Sequence, residues 1–274
     1  MIRANYHSHL VYCNHAVGHA EDYIKVALEH NFVALGISDH APVLPCFMSQ
    51  KDFERFGRYY RTMTLDTMYQ GYLKEMALAK EKYKNKIKVL IGFETEYLPT
   101  NEFFVKLLRS KVDYLNLGVH IFNYKGQILN TYTDTNFETI YGYLEACIQG
   151  METGVFNTLV HPDLFMYNYK DENGDRVFDA HCKKVSTAII EAAIQNNVYL
   201  ELNANGIFNS RNSKEWLYPY KEFWEIAAKY KDLKIIIGAD AHKPEALVCE
   251  YVEMAERFAK KLGLKLQDLM EVNH

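Results

Sequence analysis

The sequence predicts an α/β protein whose parallel strands close into a single barrel, and three observations carry that expectation. Seven short apolar runs recur along the 274 residues, with stretches of helical apolar spacing between them. Six of the seven runs end in His, Asp or Glu. The length also suits one domain spanning residues 1–274, since α/β barrels of this size are routinely single.

In chain order the runs are IRANY, FVALGIS, IKVLIGF, YLNLGV, NTLV, VYLELN and LKIIIGA. Between them AEDYIKVALEHN, DTMYQGYLKEMALAKEKY, FETIYGYLEACIQGM and DAHCKKVSTAIIEAAIQNN read as amphipathic helices. The chain closes with PEALVCEYVEMAERFAKKLG, whose Pro244 suits a first helical turn and whose Gly263 suits a C-cap. Near-continuous apolar strands alternating with helices imply parallel pairing, with helices covering the outside. Periodicity alone leaves open whether the seven units close or form an open sheet.

The strand ends bear on that choice. The first run leads into His7 and His9, the second into Asp39 and His40, and the third into Glu94 followed by Glu96. The fourth ends at His120, the fifth at His161, the sixth at Asn203, and the seventh at Asp240 with His242. Side chains at i and i+2 of a strand share a face, so His7 and His9 can point into one site. Asp and Glu number 35 and His 11 of 274. So dense a placement at strand ends is roughly a one-per-cent coincidence, and barrel active sites sit at that face. Closure brings all seven ends around one mouth, whereas an open sheet would spread them apart. The pattern favours a barrel and a polynuclear metal site together. His19, His30, His181 and His274 fall in helical or terminal stretches and read as core or surface histidines bonded to backbone.

Composition narrows the function further. A hydrophobic fraction of 49%, a charged fraction of 24% and a net charge of −4 are those of an ordinary globular protein. They argue against wholesale binding to nucleic acid or an acidic membrane. No apolar run approaches the roughly 20 residues of a membrane span. The opening MIRANYHSH lacks a secretory h-region, so a cytoplasmic location is expected. Five scattered cysteines without a CxxC pair read as reduced packing thiols. Cys13 lies among the first histidines, although imidazoles and carboxylates already supply enough donors. YKDENGDRVFD has calcium-loop spacing at Asp171, Asn173 and Asp175, but its misplaced Gly174 makes it a turn.

HSHLVYCNH, GISDHAP, GFETEYLP, GVHIF, LVHPDLF, LELNANGIFNSR and IGADAHKPE, in that order, resemble the polymerase and histidinol phosphatase (PHP) phosphoesterases. The match runs the whole length and is closest to the histidinol-phosphatase branch. The HxH-x5-H opening followed by DHAP is its most specific part. The resemblance implies a distorted (β/α)7 TIM-like barrel holding three divalent ions. The first ion would take His7, His9, Glu94 and Asp240; the second Glu94 as a bridge with His120 and His161; the third His15, His40 and His242. It also implies a phosphoric monoester hydrolase that cleaves L-histidinol phosphate in histidine biosynthesis. The alternative is a family member acting on another phosphomonoester, a nucleotide or a nucleic-acid end. An amidohydrolase-type barrel also opens with HxH but would need a bridging Lys where Glu94 stands.

Seven neutral imidazoles and two carboxylates would leave three divalent ions at roughly +4, which suits a dianionic phosphate. Paired ions can lower the pKa of a shared water to hydroxide and stabilise in-line displacement at phosphorus. Glu94, Asp240 and His242 are therefore the candidate catalytic residues, in a site suited to zinc, manganese or iron. Asp39 would orient a neighbouring ligand or serve as a strand-end turn residue. Arg211, after the sixth strand, would reach phosphate oxygens. Glu96 would pair with a substrate amine. The long segment around 43–64 would form a lid, and Arg55, Arg58 and Arg61 within it share a helical face that reads as solvated or salt-bridged. The partner expected is thus a small phosphate ester, not nucleic acid or membrane. No extra apolar stripe on a helix indicates an oligomeric state.

Overall fold

A computed structural model describes residues 2–56 and 62–272. All seven apolar runs form the strands of one parallel sheet. These are β1 (Ala4–Asn5), β2 (Ala34–Ile37), β3 (Lys88–Thr95), β4 (Tyr114–Leu117), β7 (Thr158–Leu159), β8 (Tyr199–Asn203) and β9 (Ile235–Gly238). They lie in the order β1-β2-β3-β4-β7-β8-β9. A hairpin of β5 (Ile121–Tyr124) and β6 (Gln127–Asn130) is inserted after β4.

The first and last strands meet just beyond their named ends. Ser8 bridges Ala241 in parallel, and the His9 amide donates to the Ala241 carbonyl at 2.8 Å. The Asn5 side chain accepts the Ala239 amide at 2.8 Å. The ring is thereby nearly closed into a barrel, as the strand-end pattern suggests.

Its floor is a plug of Ala4, Tyr6, Ala34, Leu90, Tyr114, Tyr199, Ile236 and Met270. The Tyr114 hydroxyl donates to the Tyr6 carbonyl at 2.9 Å, and its ring lies flat on Gly92. A Cβ there would sit 2.5 Å from Tyr114 Cζ, so only glycine lets the ring cross the lumen.

Outside the strands, α1 (Ala20–Glu29), α3 (Leu73–Tyr83), α5 (Ile140–Glu152), α6 (Ala180–Gln195) and α9 (Glu250–Leu262) occupy the expected helical stretches. Four shorter helices add to them: α2 (Gln50–Phe56), α4 (Glu102–Arg109), α7 (Ala204–Asn209) and α8 (Lys221–Ala227). One helix differs from expectation. Pro244 opens a separate 3-10 turn over Pro244–Val248, and Cys249 is extended, so α9 starts only at Glu250. Gly263 ends α9 in the left-handed conformation at φ 69°, as its type suggests. The Asp171 loop is a turn, its carboxylate accepting the amides of Asn173 and Asp175.

Within the 43–64 segment, Arg55 on α2 is exposed and pairs with Asp134 at 3.1 Å, a salt-bridged role as expected for that face. Arg58 and Arg61 lie outside the described residues. Among the described residues no helix is long and apolar enough to cross a membrane.

Candidate active site

The ligand-type residues converge at the C-terminal mouth of the barrel, each delivered by a strand end. Glu94 stands at the centre, buried near the end of β3. Its Oε1 faces His161 Nε2 at 2.9 Å and His120 Nε2 at 3.4 Å. Its Oε2 faces His7 Nε2 at 3.1 Å, His40 Nδ1 at 3.3 Å and His9 Nε2 at 3.4 Å. Asp240 Oδ1 lies 3.2 Å from His9 Nε2 and 3.6 Å from His7 Nε2. His161 and Asp240 are held at φ 36° and 48°. For non-glycine residues this region costs on the order of 1–3 kcal/mol and is tolerated where it aims a functional side chain.

Three clusters of donor atoms, each within 4.8 Å of one another, are suited to a metal ion: His7, His9 and Asp240; Glu94, His120 and His161; and His9, His40 and His242. His15 is more exposed and completes the last group from the rim, its ring 4.9 Å from that of His242 and 5.3 Å from that of His40. Cys13 also approaches His9 and Asp39. Its thiol donates to the Leu10 carbonyl, and burial pushes it well above the ordinary cysteine value, so it is a poor ligand here.

Two ring nitrogens on the rim are tethered, while Nδ1 of His9 and of His161 has no hydrogen-bond partner among the described residues. His15 Nδ1 bonds the Cys13 carbonyl at 2.8 Å and His242 Nδ1 bonds the Asp240 carbonyl at 3.0 Å. A carbonyl only accepts, so both Nδ1 atoms donate and each Nε2 keeps its lone pair. His9 Nε2 is buried without a hydrogen-bond partner, as expected of an atom meant for an ion.

Electrostatics agree. Burial would raise Glu94 and Asp240, yet the surrounding imidazoles hold both well below the ordinary carboxylate range. Burial lowers His40 and takes His242 down to about 4, which keeps both neutral. His9 and His120, despite burial, are raised to about 9 by nearby carboxylates. The negative potential that would hold a proton on those rings is one a divalent cation would satisfy. The donor set therefore fits metal ions.

Three carboxylates stand behind the ligands. Asp39 accepts the His40 amide at 2.9 Å and lies 3.5 Å from His9 Nδ1, so it both caps its turn and faces a ligand. Glu96 accepts from His120 twice, through the backbone amide at 3.1 Å and ring Nδ1 at 2.7 Å. The carboxylate expected to meet a substrate amine is thus turned onto a histidine. Glu201, inside the LELNANGIFNSR stretch but assigned no role there, lies 2.7 Å from His7 Nδ1. Counting all five carboxylates lowers the formal charge with three divalent ions from about +4 to about +1.

The mouth opens into a cavity of about 290 Å³, walled beyond the histidines by Asn130, Tyr132, Asn205, Asn209 and Tyr218. Arg211 does not join them. Its guanidinium donates to the Phe208 carbonyl at 2.9 Å and lies 3.9 Å over the Phe208 ring, facing solvent. The hairpin missed in the sequence is what brings Asn130 and Tyr132 to the cavity. Among the four other histidines, His19 bonds Glu75 and His181 bonds Tyr141, both away from the mouth. His30 closes α1, and His274 lies outside the described residues.

The profile of the PHP domain matches residues 5–205, from β1 into α7. The chain belongs to the PHP domain family. A Schizosaccharomyces pombe relative, named a probable histidinol-phosphatase, is 25% identical over 276 residues, covering 94% of this PHP chain and 86% of that one. A Listeria monocytogenes crystal structure superposes with a TM-score of 0.73 at 19% identity, covering 91% of this chain and 99% of the other. A Lactococcus lactis histidinol phosphate phosphatase, crystallised with zinc, L-histidinol and phosphate, gives a TM-score of 0.68 at 18% identity. That superposition covers 96% of this chain and 95% of the Lactococcus chain. Both likenesses place the strands described above in the PHP barrel fold.

Proposed function

We propose that the chain is a metal-dependent histidinol-phosphatase, hydrolysing L-histidinol phosphate to L-histidinol and inorganic phosphate. The observation that carries this reading is the Glu94 carboxylate, whose two oxygens face five imidazoles from four strand ends. The cavity over it has no Lys or Arg among its described lining residues. Among the described lining residues a dianionic phosphate meets no Lys or Arg, which favours balancing its charge with ions that the imidazoles hold. The names of the yeast relative and the Lactococcus enzyme favour histidinol phosphate as the ester.

In this reading three ions are held by His7, His9, Glu94 and Asp240; by Glu94, His120 and His161; and by His15, His40 and His242. Zinc, manganese and iron all suit such ligands. Divalent ions in these positions supply Lewis-acid charge to the phosphoryl oxygens and lower the pKa of water. The protein's own part is positional. Glu94 and Asp240, held ionised, keep the first two groups together, and His242 joins the third. Asn205 donates to Asp240 Oδ2 at 3.1 Å and fixes that carboxylate. Burial holds the phenols of Tyr132 and Tyr218 well above the ordinary tyrosine value, so both remain donors toward phosphate oxygens. Tyr218 accepts from Asn209 at 3.0 Å, which leaves its own proton to donate. A role in histidine biosynthesis goes with a cytoplasmic location.

Phosphate release from histidinol phosphate, measured beside sugar phosphates and nucleotides with zinc or manganese present, tests the reading. Preference for histidinol phosphate is expected. A much faster rate on another ester overturns the substrate and leaves the phosphatase standing. Tight, salt-sensitive binding to single-stranded DNA favours the nucleic-acid branch of the family instead.

A further inference from the structure

We infer that Glu201 is a positioning residue that fixes the tautomer of His7 and aims its Nε2 lone pair at the first ion; this deepens the metal-site reading above and rests on it. Glu201 is fully buried on β8. Its Oε2 lies 2.7 Å from His7 Nδ1, and its Oε1 lies 2.7 Å from Asn203 Nδ2. On the far side of the ring, His7 Nε2 faces Glu94 and Asp240.

The direction of these bonds is set by a group that cannot reverse. Asn203 Oδ1 accepts the Gly206 backbone amide at 2.7 Å, in the first turn of α7. A backbone N–H only donates, so the amide nitrogen of Asn203 is the atom that faces Glu201. It reaches Asp240 Oδ2 as well, at 3.3 Å. With the Asn203 amide donating to one carboxyl oxygen and His7 Nδ1 lying 2.7 Å from the other, Glu201 is placed to accept the Nδ1 proton. The imidazole then has one remaining nitrogen, Nε2, with its lone pair toward the mouth. Gly206, Asn203 and Glu201 thus form one hydrogen-bonded chain that ends on a ligand across the barrel seam.

The neighbouring strand is built around the same carboxylate. Asn203 pairs with Gly238 across the β8–β9 register. A Cβ on Gly238 would overlap the Glu201 carboxyl group, so the glycine creates the space that Glu201 fills. Glutamine has the size of Glu201 and cannot replace it. Its NH2 would either oppose the Asn203 amide or demand an acceptor at His7 Nδ1, which moves the ring proton to Nε2 and blocks the ligand.

The test uses the zinc-loaded full chain. Long-range 1H–15N NMR should show His7 protonated at Nδ1 and metal-bound through Nε2. Glu201→Gln should weaken zinc binding at one site by about 10–100-fold in competition with a chelator. Its circular dichroism should be unchanged, and the His7 Nδ1–H signal should be lost. Zinc uptake with His7 bound through Nδ1, or a well-folded Glu201→Gln chain with unchanged zinc affinity, overturns the relay while sparing the phosphatase reading. A chain that takes up no zinc overturns both. If Glu201→Gln fails to fold, the parent spectrum still decides, and Asn203→Ala supplies the affinity comparison with the same expected direction.

Discussion

Glu96 grips His120 by both its backbone amide and its ring Nδ1. Such a clamp fixes the rotation of a ligating imidazole as well as its tautomer, and partners of this kind are typically worth 10–100-fold in metal affinity or activity. Glu96→Gln should therefore lower kcat by about 10–100-fold while KM for histidinol phosphate stays within about threefold. Steady-state kinetics at saturating metal check this. A raised KM at constant kcat would instead return Glu96 to the substrate amine.

Ligand removal should register as lost stability. A metal bound at about 100 times its dissociation constant stabilises the native state by about 2.7 kcal/mol, or about 5 °C for a chain of this length. Dialysis against a chelator should lower Tm by at least that amount and abolish phosphate release, and zinc should restore both. Differential scanning fluorimetry follows the first effect and a phosphate assay the second.

The barrel floor should be intolerant of one methyl group. Gly92→Ala drives a Cβ into the Tyr114 ring, which is itself held by its bond to the Tyr6 carbonyl. Overpacking of this kind costs about 1–3 kcal/mol. Thermal melts should show a fall of about 2–5 °C. Adding Tyr114→Leu should make the combined loss less than additive, because the second change removes what the first collides with.

Glu75 should confer acid sensitivity. Burial opposes its ionisation, but bonds from the Tyr12 hydroxyl, the Ala20 amide and His19 outweigh burial and lower its pKa below the ordinary 4.5. A depressed carboxyl stabilises the fold above its unfolded pKa and loses that contribution as pH falls through the folded value. In metal-free protein, Glu75→Gln should therefore lower Tm at pH 7, and the gap to the parent should shrink below pH 4.5. Equal gaps at both pH values would exclude this linkage.

The seven strands were legible because parallel strands buried on both faces read as nearly unbroken apolar runs. The strand-end histidines were legible for a related reason, since a polar residue just past an apolar run stands out. The β5–β6 hairpin was missed. Its signal is the Lys125-Gly126 pair, both at positive φ, which lies within a short stretch of weak alternation. Arg211 was assigned to phosphate by its position after β8, but the Phe208 ring in the same loop captures it. Glu96 was read by its charge, when its reach onto His120 depends on how β3 and the segment after β4 sit side by side. Glu201 sits inside the LELNANGIFNSR stretch, yet its sequence neighbours give it no role. What marks it is a glycine 37 positions later on the next strand, and only the register joins the two.

The seam between Ser8 and Ala241 has a consequence for how the protein is made. His7 and His9 leave the ribosome more than 200 residues ahead of Asp240 and His242. At about 5–20 residues per second, the two early histidines wait for on the order of 10–50 s before their partners exist. The hydrogen bonds that join the two ends of the sheet come from the same backbone that carries those residues. Metal loading is thereby deferred until Asp240 and His242 have emerged, and a chain stalled before them exposes histidines able to capture an ion but no assembled centre to hold it.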